Sequence, residues 1–449
     1  MTGARPLAGR SQTPGPPAGA QPAGRAPASR GRAALLVAGI AAMTLSVAVY
    51  AADVALHPQV MWRLTDLKVY RLAGLAATHR PDVYDLSWFG TLQFTYPPFS
   101  AVLAEAGSVL PLRAAEAAMT VANVAAVAVA VWLTARWLSY RGATAVGFAL
   151  LVASAALWLE PVQRTLQLGQ VNLLLIVIVL ADLVQPDHRW WKGIGVGLAA
   201  GIKLTPLIFV LYLLITGRRR QAAVAAGTFA VTILAGFAVL PRASAQWWLH
   251  GLYMQAGRTG FVGQLENQSL RAVITRFAGS VTAGTLPWVV AAVLAAVIGL
   301  ACAAFLHRAG HPVAGMLACA LTGLLISPIS WDHHWVWIVP GMALLVHLAV
   351  RARGRARVAW WAGTAALALM FGGWPAFWTR LPSLTPSGLI WYAPTEYFSM
   401  GDNPGYREYH WNALQILTGN LYVLAGLVAL AVIAVAAVRL RRSDAHVLR

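Results

Sequence analysis

Long runs of apolar residues alternate with short polar segments along most of the chain. The first run extends from Ala33 to about Val54. The later runs lie near 114–135, 143–159, 171–185, 194–215, 222–240, 286–306, 312–328, 335–350, 358–372 and 413–438. A helix needs about 20 apolar residues to span a bilayer, so several of these runs are too short for a simple span. We therefore predict an all-α polytopic membrane protein with about 10–12 transmembrane helices, some of them tilted or broken.

Two topologies fit the first half of the chain. In the preferred one, 97–112 is a half-helix that returns outward, and 194–215 is a discontinuous hairpin broken near Pro206. This topology has about ten full spans and two broken elements. The alternative has about 12 simple spans and places the loop 160–170 inside the cell.

The composition agrees with a membrane protein. Hydrophobic residues make up 59% of the chain and charged residues 11%, whereas soluble domains average about 45–50% and about 25%. This excludes a soluble multidomain enzyme, and the continuous apolar runs exclude a β-barrel. Residues 1–32 are rich in Pro, Gly, Ala and Arg, which predicts a disordered basic cytoplasmic tail. The membrane domain is then 33–438, and 439–449 forms a second basic tail.

The formal net charge of +19 arises from 34 basic and 15 acidic residues. Basic clusters follow apolar runs at Arg218–Arg220, at Arg351–Arg357 and after Arg439, so they indicate cytoplasmic ends of helices and not nucleic-acid binding. The loops that then face outward carry most of the acidic residues and lie at about 54–96, 241–285, 327–334 and 373–412. Cys302 and Cys319 lie inside apolar runs, which argues against a disulfide scaffold.

Asp66 is the first candidate for chemistry, about a dozen residues beyond the first membrane exit. Interfacial aromatic residues flank it, so its carboxylate could act as a general base at the membrane surface. An ordinary helix salt bridge with Lys68 or Arg63 explains the same spacing.

Further polar segments lie at other boundaries of apolar runs. Tyr96 precedes a double proline that can only begin a helix. Gln170 and Asn172 could hydrogen-bond a sugar or cap helices. In the outer loops, Asn267 and Arg271 belong to a polar stretch, and the guanidinium suits a lipid phosphate.

The segment 327–337 combines a carboxylate, two imidazoles and three indoles in one short turn. His333 and His334 are adjacent and therefore point in different directions, which makes them a poor bidentate metal site. One of them could instead donate to an anionic group, and Trp335 could stack on a sugar or belong to an interfacial aromatic belt. No P-loop motif and no His-Glu-x-x-His motif occurs, so the sequence supports neither a P-loop NTPase nor a zinc protease.

In combination, these segments resemble one known family. They are Asp66 in an early outer loop, FTYPPF at 94–99, LEPVQRTLQLGQVN at 159–172, GIKLTP at 201–206, NQSLRAVITR at 267–276 and SPISWDHHWVWIVP at 327–340. Their order resembles that of the polyprenol-phosphate-mannose-dependent mannosyltransferases of actinobacteria, glycosyltransferase family 87, with the GT-C fold. The likeness runs from about residue 50 to about residue 440 and is strongest to the α-1,2-mannosyltransferases of phosphatidylinositol mannosides and lipoarabinomannan.

The resemblance implies that an acceptor hydroxyl attacks a β-linked mannosyl phosphate on a polyprenol, with inversion to an α-linkage. Asp66 matches the family's catalytic acidic residue. The implied donor-phosphate contacts are His333, His334, Arg271, Lys68 and Arg71. The implied sugar or acceptor contacts are Tyr96, Gln170, Asn172, Asn267 and Trp335. Lys203 lies in a matching motif, but the preferred topology places it deep or facing inward, so we expect a structural role for it.

The partners implied are polyprenyl-phosphate mannose, a lipid-linked mannoside acceptor and membrane lipids, and the active site is expected on the outer face of the plasma membrane. No cofactor is implied, and the first outer loop contains no Asp-x-Asp pair to suggest a metal. A decaprenyl-phosphate-arabinose-dependent arabinofuranosyltransferase is an alternative with the same fold. A transporter is a further alternative, because broken helices and an intramembrane lysine are typical of that class.

Overall fold

A computed structural model describes residues 26–79, 83–88, 92–375, 386–396 and 401–447. Helices dominate these residues, and the only paired strands described are two residues long. The prediction of an all-α polytopic protein is therefore confirmed. The runs become helices because apolar backbone in a lipid environment must satisfy its hydrogen bonds within its own segment.

The helices follow one another with few long connections. In the first half they are α1 (Ala26–Leu56), α2 (Pro58–Met61), α3 (Thr65–His79), α4 (Pro98–Ser108), α5 (Leu112–Trp137), α6 (Gly142–Ala156), α7 (Glu160–Leu168), α8 (Asn172–Leu183), α9 (Ile194–Ile202), α10 (Ile208–Ile215) and α11 (Arg219–Val239). In the second half they are α12 (Pro241–Ser244), α13 (Leu270–Ala278), α14 (Val281–Arg308), α15 (Pro312–Ile326), α16 (Ile338–Arg351), α17 (Gly354–Phe371), α18 (Ala413–Gly419) and α19 (Leu421–Val447).

Short elements fill the loops between these helices. Strand β1 (Ser87–Trp88) pairs antiparallel with β2 (Leu92–Gln93), and β3 (Trp374–Pro375) pairs antiparallel with β4 (Pro386–Ser387). A π-helical turn forms at Ala245–Leu249. The 3₁₀ turns are Thr205–Leu207, Leu252–Met254, Ala256–Thr259, Asp332–Trp337, Leu389–Tyr392 and Arg407–His410.

Among the described residues, six helices are long and apolar enough to cross a membrane. They lie at Arg30–Leu56, Leu112–Trp137, Arg219–Val239, Val281–Arg308, Asp332–Arg351 and Leu421–Arg439. The chain is therefore a multi-pass membrane protein. Fewer helices reach full length than the predicted 10–12 spans, because several of the predicted apolar runs form shorter helices. Those are Gly142–Ala156, Thr205–Ile215 and Pro312–Ile326.

Two predicted boundaries differ from the structure. Helix α1 begins at Ala26, inside the predicted tail 1–32 and ahead of the apolar run that starts at Ala33. Residues 1–25 of the predicted N-terminal tail lie outside the described residues. At the other end, α19 continues to Val447, through most of the predicted tail 439–449.

The segment 194–215 forms a hairpin against α11. Gly193 packs against Gln221 near the start of α11, and Gly201 packs against Thr232 two to three turns further along. After the break, α10 returns to the start of α11, which begins at Arg219. The chain thus enters and leaves at the same end, as the preferred topology requires. Lys203 and Pro206 form the tip of this hairpin.

The sharpest bend lies between α7 and α8. Their axes differ by 115° across a break of a few residues. Gly169 ends α7 with a φ of 66°, a left-handed conformation that costs glycine little. A side chain there would also collide, because a Cβ atom would lie 2.9 Å from Leu64 and from Leu67. The bend therefore lets the start of α3 approach the junction of α7 and α8.

We predict that Gly169→Ala lowers the stability of the protein by about 1–3 kcal/mol, because alanine is strained at positive φ and its Cβ meets α3. Gly142→Ala is the matched control, since Gly142 has a φ of 53° with open space around it. The apparent melting temperature in detergent should fall more for Gly169→Ala than for Gly142→Ala. Equal losses would contradict the role assigned to the close approach.

Candidate active site

A polar cleft lies where α3, α7, the loop before α13 and the Asp332–Trp337 turn meet. It encloses about 960 Å³ of empty space, part of it open to solvent. Four of the residues predicted from the sequence line it, namely Asp66, Tyr96, Gln170 and His333. These four residues are separated by up to 267 positions in the chain, and the fold brings them together on the wall of one cleft.

Asp66 lies in the first turn of α3 and is half-buried. The Gln170 side chain donates a hydrogen bond from Nε2 to Asp66 Oδ2. Gln170 Nε2 also lies 3.1 Å from the Tyr96 hydroxyl, which lies 3.0 Å from the Tyr70 hydroxyl. The predicted salt bridge to Lys68 or Arg63 is not formed. The carboxylate is therefore positioned by the Gln170 amide and not by a salt bridge.

Burial raises the pKa of the Asp66 carboxyl above its ordinary value. His333, Gln170 and the more distant Lys203 and Arg164 oppose this shift, because each stabilises the charged carboxylate. Burial remains the larger effect. A carboxylate with a raised pKa is a stronger base than one in water, which is the property a general base needs.

His333 faces the same cleft from the Asp332–Trp337 turn. Its Nδ1 lies 2.9 Å from Asp332 Oδ1, and a carboxylate can only accept, so Nδ1 carries the proton. Arg164 Nε donates to the other Asp332 oxygen at 3.2 Å. His333 Nε2 is buried and has no hydrogen-bond partner among the described residues. It is the ring nitrogen that remains for a ligand.

His334 is held differently from its neighbour. Its Nε2 lies 2.9 Å from the Lys203 ammonium, which also donates to Asn172 Oδ1 at 2.8 Å. The ammonium lies 5.2 Å from the centre of the Tyr96 ring. The hairpin tip therefore buries Lys203 beside the histidine turn. Asn172 Nδ2 donates to the His333 carbonyl at 2.9 Å and so stabilises the histidine turn. Asn172 does not line the cleft.

The structure does not bring three predicted phosphate contacts to the cleft wall. Lys68 donates to the Arg63 carbonyl at 2.6 Å and lies 3.6 Å from the buried Glu116 carboxylate. Arg71 donates to the Gly107 carbonyl at 2.9 Å. Arg271 stacks on the Trp288 ring at 4.8 Å. These cations are engaged by other parts of the protein.

Two predicted sugar contacts also lie away from the cleft wall. Asn267 is fully buried, and its amide donates to the Val262 carbonyl at 2.8 Å. Trp335 is buried, donates to the Gln268 carbonyl at 3.1 Å, and packs against Phe371. Both side chains hold loops together. The sequence could not reveal these positions, because the residue types that hold buried loops together are the same as those that contact sugars.

The cleft contains functional groups that sequence reasoning missed as site residues. They are Arg164, Arg258, Gln264, Glu266, Trp331 and Asp332. Glu266 is 8% exposed, and its burial, with the nearby Asp332 carboxylate, raises its pKa to about 7. Four of them belong to the same polar segments as predicted site residues, and this is the sequence feature that could have identified them. Within the described part of the chain, no group of three or more His, Cys, Asp or Glu is arranged to hold a metal ion.

An apolar groove adjoins the cleft between α3, α4 and α5. It encloses about 1060 Å³ of empty space and is lined mainly by aliphatic side chains. Tyr70 and Tyr96 belong to the walls of both the groove and the cleft. Arg71 is the charged residue on the groove wall. The two spaces therefore meet at the tyrosine pair.

Comparison with known proteins identifies relatives of the chain. It is 34% identical over 334 residues to a polyprenol-phosphate-mannose-dependent alpha-(1-2)-phosphatidylinositol pentamannoside mannosyltransferase of Mycobacterium tuberculosis strain CDC 1551, covering 73% of this chain and 76% of that protein. The protein of the same description from Mycolicibacterium smegmatis is 36% identical over 337 residues, covering 73% and 80%.

A third relative is described as a polyprenol-phosphate-mannose-dependent alpha-(1-2)-phosphatidylinositol mannoside mannosyltransferase of Mycobacterium tuberculosis strain H37Rv. It is 32% identical over 282 residues, which cover 58% of this chain and 64% of that protein. No solved structure matches the chain. The family model of glycosyltransferase family 87 matches residues 94–328, more than half of the chain and including much of the cleft wall. The chain is a member of glycosyltransferase family 87.

Proposed function

We propose that the chain transfers a mannosyl residue from polyprenyl-phosphate mannose to a phosphatidylinositol mannoside, forming an α-1,2 linkage. The names of three relatives describe this donor and this class of acceptor. The observation that carries the proposal is the presence, in one cleft, of a carboxylate with a raised pKa and a histidine with a free ring nitrogen.

The chemistry of the transfer matches these two groups. The acceptor hydroxyl oxygen forms a bond to the anomeric carbon, and its proton passes to the Asp66 carboxylate. The bond between the anomeric carbon and the phosphate oxygen breaks, and its electron pair leaves with polyprenyl phosphate. Attack opposite the leaving group inverts a β-linked donor to an α-linked product. A phosphate that gains charge needs hydrogen-bond donors, and His333 Nε2 supplies one when the ring is protonated.

Asp332 prepares His333 for this role. Its carboxylate accepts the hydrogen bond from Nδ1 and so fixes the orientation of the ring. The Arg164 guanidinium on the cleft wall and the nearby Lys203, whose pKa is lowered by burial to about 7, add positive charge near the cleft. We propose that these cations, and not a metal ion, offset the charge of the leaving phosphate.

The apolar groove suits the hydrocarbon chain of a lipid-linked substrate. Its wall is mainly aliphatic, and Tyr70 and Tyr96 belong both to this wall and to the wall of the cleft. A polyprenyl chain in the groove would place its phosphate at the polar side of this pair. Burying apolar surface contributes roughly 25 cal/mol per Å², so the groove would supply binding free energy far from the reacting atoms.

The distribution of basic residues favours a cleft on the outer face of the plasma membrane. Helices α10 and α16 both start near the cleft and run away from it. Arg218 follows the far end of α10, where Arg308 donates to the Ile215 carbonyl at 2.7 Å. Arg351 ends α16. Because basic residues mark cytoplasmic ends of helices, the cleft at the opposite ends would face outward.

We predict that Asp66→Asn reduces mannosyl transfer by about 10²–10⁴-fold, because the amide cannot accept the acceptor proton. The measurement is transfer from radiolabelled polyprenyl-phosphate mannose to phosphatidylinositol mannoside by the purified protein. Glu105→Gln, which neutralises a half-buried carboxyl on α4 outside the cleft, should retain activity. Full activity of Asp66→Asn would refute the assignment, and competition with an arabinose-linked donor in the same assay tests the choice of sugar.

The pH dependence of transfer should respond to Gln170. The active form of Asp66 is the carboxylate, so activity is lost as pH falls through the Asp66 pKa. The hydrogen bond from Gln170 lowers that pKa, so Gln170→Leu should move the acid limb of kcat/KM to higher pH. Gln185→Leu, at the far end of α8, should leave the limb in place. An acid limb that stays put or moves to lower pH in Gln170→Leu would contradict the contact.

The two histidines should differ in their effects. His333→Ala removes the free nitrogen in the cleft and should lower kcat by about 10²-fold or more. His334→Ala removes a partner of Lys203 outside the cleft wall, and we expect a loss smaller by at least tenfold in the same assay. If His334→Ala were the more damaging change, the phosphate contact would lie on the hairpin side of the turn.

A further inference from the structure

Two residues of the loop before α13 that line the cleft each carry a buried polar atom without a partner. Glu266 Oε2 and Arg258 Nε are both buried, and neither has a hydrogen-bond partner among the described residues. Both side chains line the cleft that contains Asp66. Leaving such a group unpaired costs roughly 1–3 kcal/mol, and more for a charged group. Two such unpaired groups on one loop, beside one cavity, indicate a binding site for a polar ligand.

The loop is held so that these groups cannot collapse onto other partners. The buried Arg276 guanidinium donates from Nη1 to the carbonyls of Gly263, Gln264 and Asn267, at 3.2, 3.0 and 3.3 Å. Arg276 itself is anchored by Asn420 Oδ1, at 2.6 Å from Nη2. A backbone fixed in this way holds the side chains in place before a ligand binds.

The histidine turn fixes the other side of the same loop. The Asp332 amide donates to the Glu266 carbonyl at 2.7 Å, and the Gln268 amide donates to the Ser330 carbonyl at 2.7 Å. Arg258 is oriented by its Nη2, which donates to the Tyr84 carbonyl at 2.7 Å. The main chain and the far end of the guanidinium are therefore satisfied, while Arg258 Nε and Glu266 Oε2 are not.

The pair has the chemistry of a diol-binding site. Arg258 Nε–H is a donor, and Glu266 Oε2 is an acceptor when the carboxyl is ionised. Two neighbouring hydroxyls of a sugar ring can accept from the first and donate to the second. The Trp331 indole lines the same cleft, and an indole face can cover the apolar face of a pyranose.

We propose that Arg258, Glu266 and Trp331 form a pyranose-binding subsite that recognises a vicinal diol and helps to set sugar specificity. This rests on the proposed function. The ring bound there is either the transferred mannosyl residue or the terminal mannose of the acceptor. Both present the same chemistry, and the kinetics separate them.

The test compares wild type, Glu266→Gln and Glu408→Gln in the purified full-length protein. Glu408 is the matched control because it is also buried with an unpaired oxygen but lies outside the cleft wall. We expect Glu266→Gln to raise the KM of one substrate at least tenfold while kcat changes less than about threefold. An increase for the donor places the transferred sugar in the subsite, and an increase for the acceptor places the acceptor's mannose there. Glu408→Gln should change neither KM.

Deoxy analogues of the substrate whose KM rises give a readout that misfolding would not produce. Wild type should discriminate at least tenfold against the analogue lacking the contacted hydroxyl, because it leaves Glu266 unpaired. Glu266→Gln should discriminate less than about threefold. Both KM values unchanged within twofold, or discrimination retained in Glu266→Gln, would overturn the subsite.

A binding measurement separates failure of the subsite from failure of the proposed function. Methyl α-D-mannopyranoside at millimolar concentration should change the tryptophan fluorescence of wild type and of Glu408→Gln, but not of Glu266→Gln or Trp331→Phe. Binding with this pattern but without mannosyl transfer would support the subsite and reject the proposed reaction. An identical response of all four proteins, or no response in any, would reject the subsite.

Discussion

The bend between α7 and α8 leaves backbone groups without helical partners, and the residues that satisfy these groups also build the cleft. A helix that breaks in an apolar layer exposes peptide groups that lipid cannot hydrogen-bond. At this break, the Gln170 carbonyl accepts from the Asn123 side chain at 3.0 Å, and the Leu64 amide donates to the Gln167 carbonyl at 2.7 Å. The second contact also fixes the start of α3, and with it Asp66. The polar residues that satisfy the backbone groups at this break therefore also position Asp66, the candidate base.

The opposite wall obeys a similar constraint. The histidine turn is tied to α7 and α8 through side chains, with Arg164 donating to Asp332 and Asn172 donating to the His333 carbonyl. Lys203, at the tip of the α9–α10 hairpin, closes the network at His334 and Asn172. Buried polar networks are stabilising only when their members are satisfied. Three of the buried side-chain atoms that lack a partner among the described residues belong to residues of the cleft wall, namely His333, Arg258 and Glu266.

The sequence predicted the class of protein and the general place of the chemistry, for physical reasons. Apolar runs long enough to span a membrane form helices, and the polar segments between them are therefore confined to the ends of those helices. The hairpin at 194–215 was predicted because Pro206 breaks the apolar run and the Arg218–Arg220 cluster after it favours the cytoplasmic side, and the glycine contacts with α11 agree with it. Asp66, Tyr96, Gln170 and His333 were predicted from residue type and family resemblance.

What the sequence could not show is which polar side chains are used to hold loops and which are left free. Asn267 and Glu266 are neighbours, yet one is consumed by backbone carbonyls and the other keeps an unpaired oxygen. Likewise, His333 and His334 are adjacent in the chain but have different partners. Asp332 contacts the His333 ring, and Lys203 at the hairpin tip contacts the His334 ring. These outcomes depend on contacts across 63 to 161 positions of the chain, which no local pattern encodes.

The most direct test of this account is an electron cryomicroscopy structure of the purified protein with a non-hydrolysable polyprenyl-phosphate mannose analogue and a phosphatidylinositol mannoside bound. The account predicts the donor phosphate within hydrogen-bonding distance of His333 Nε2 and the attacking acceptor hydroxyl within hydrogen-bonding distance of the Asp66 carboxylate. The polyprenyl chain should lie in the groove beyond Tyr70 and Tyr96. A donor phosphate bound elsewhere, or an acceptor hydroxyl remote from Asp66, would contradict it.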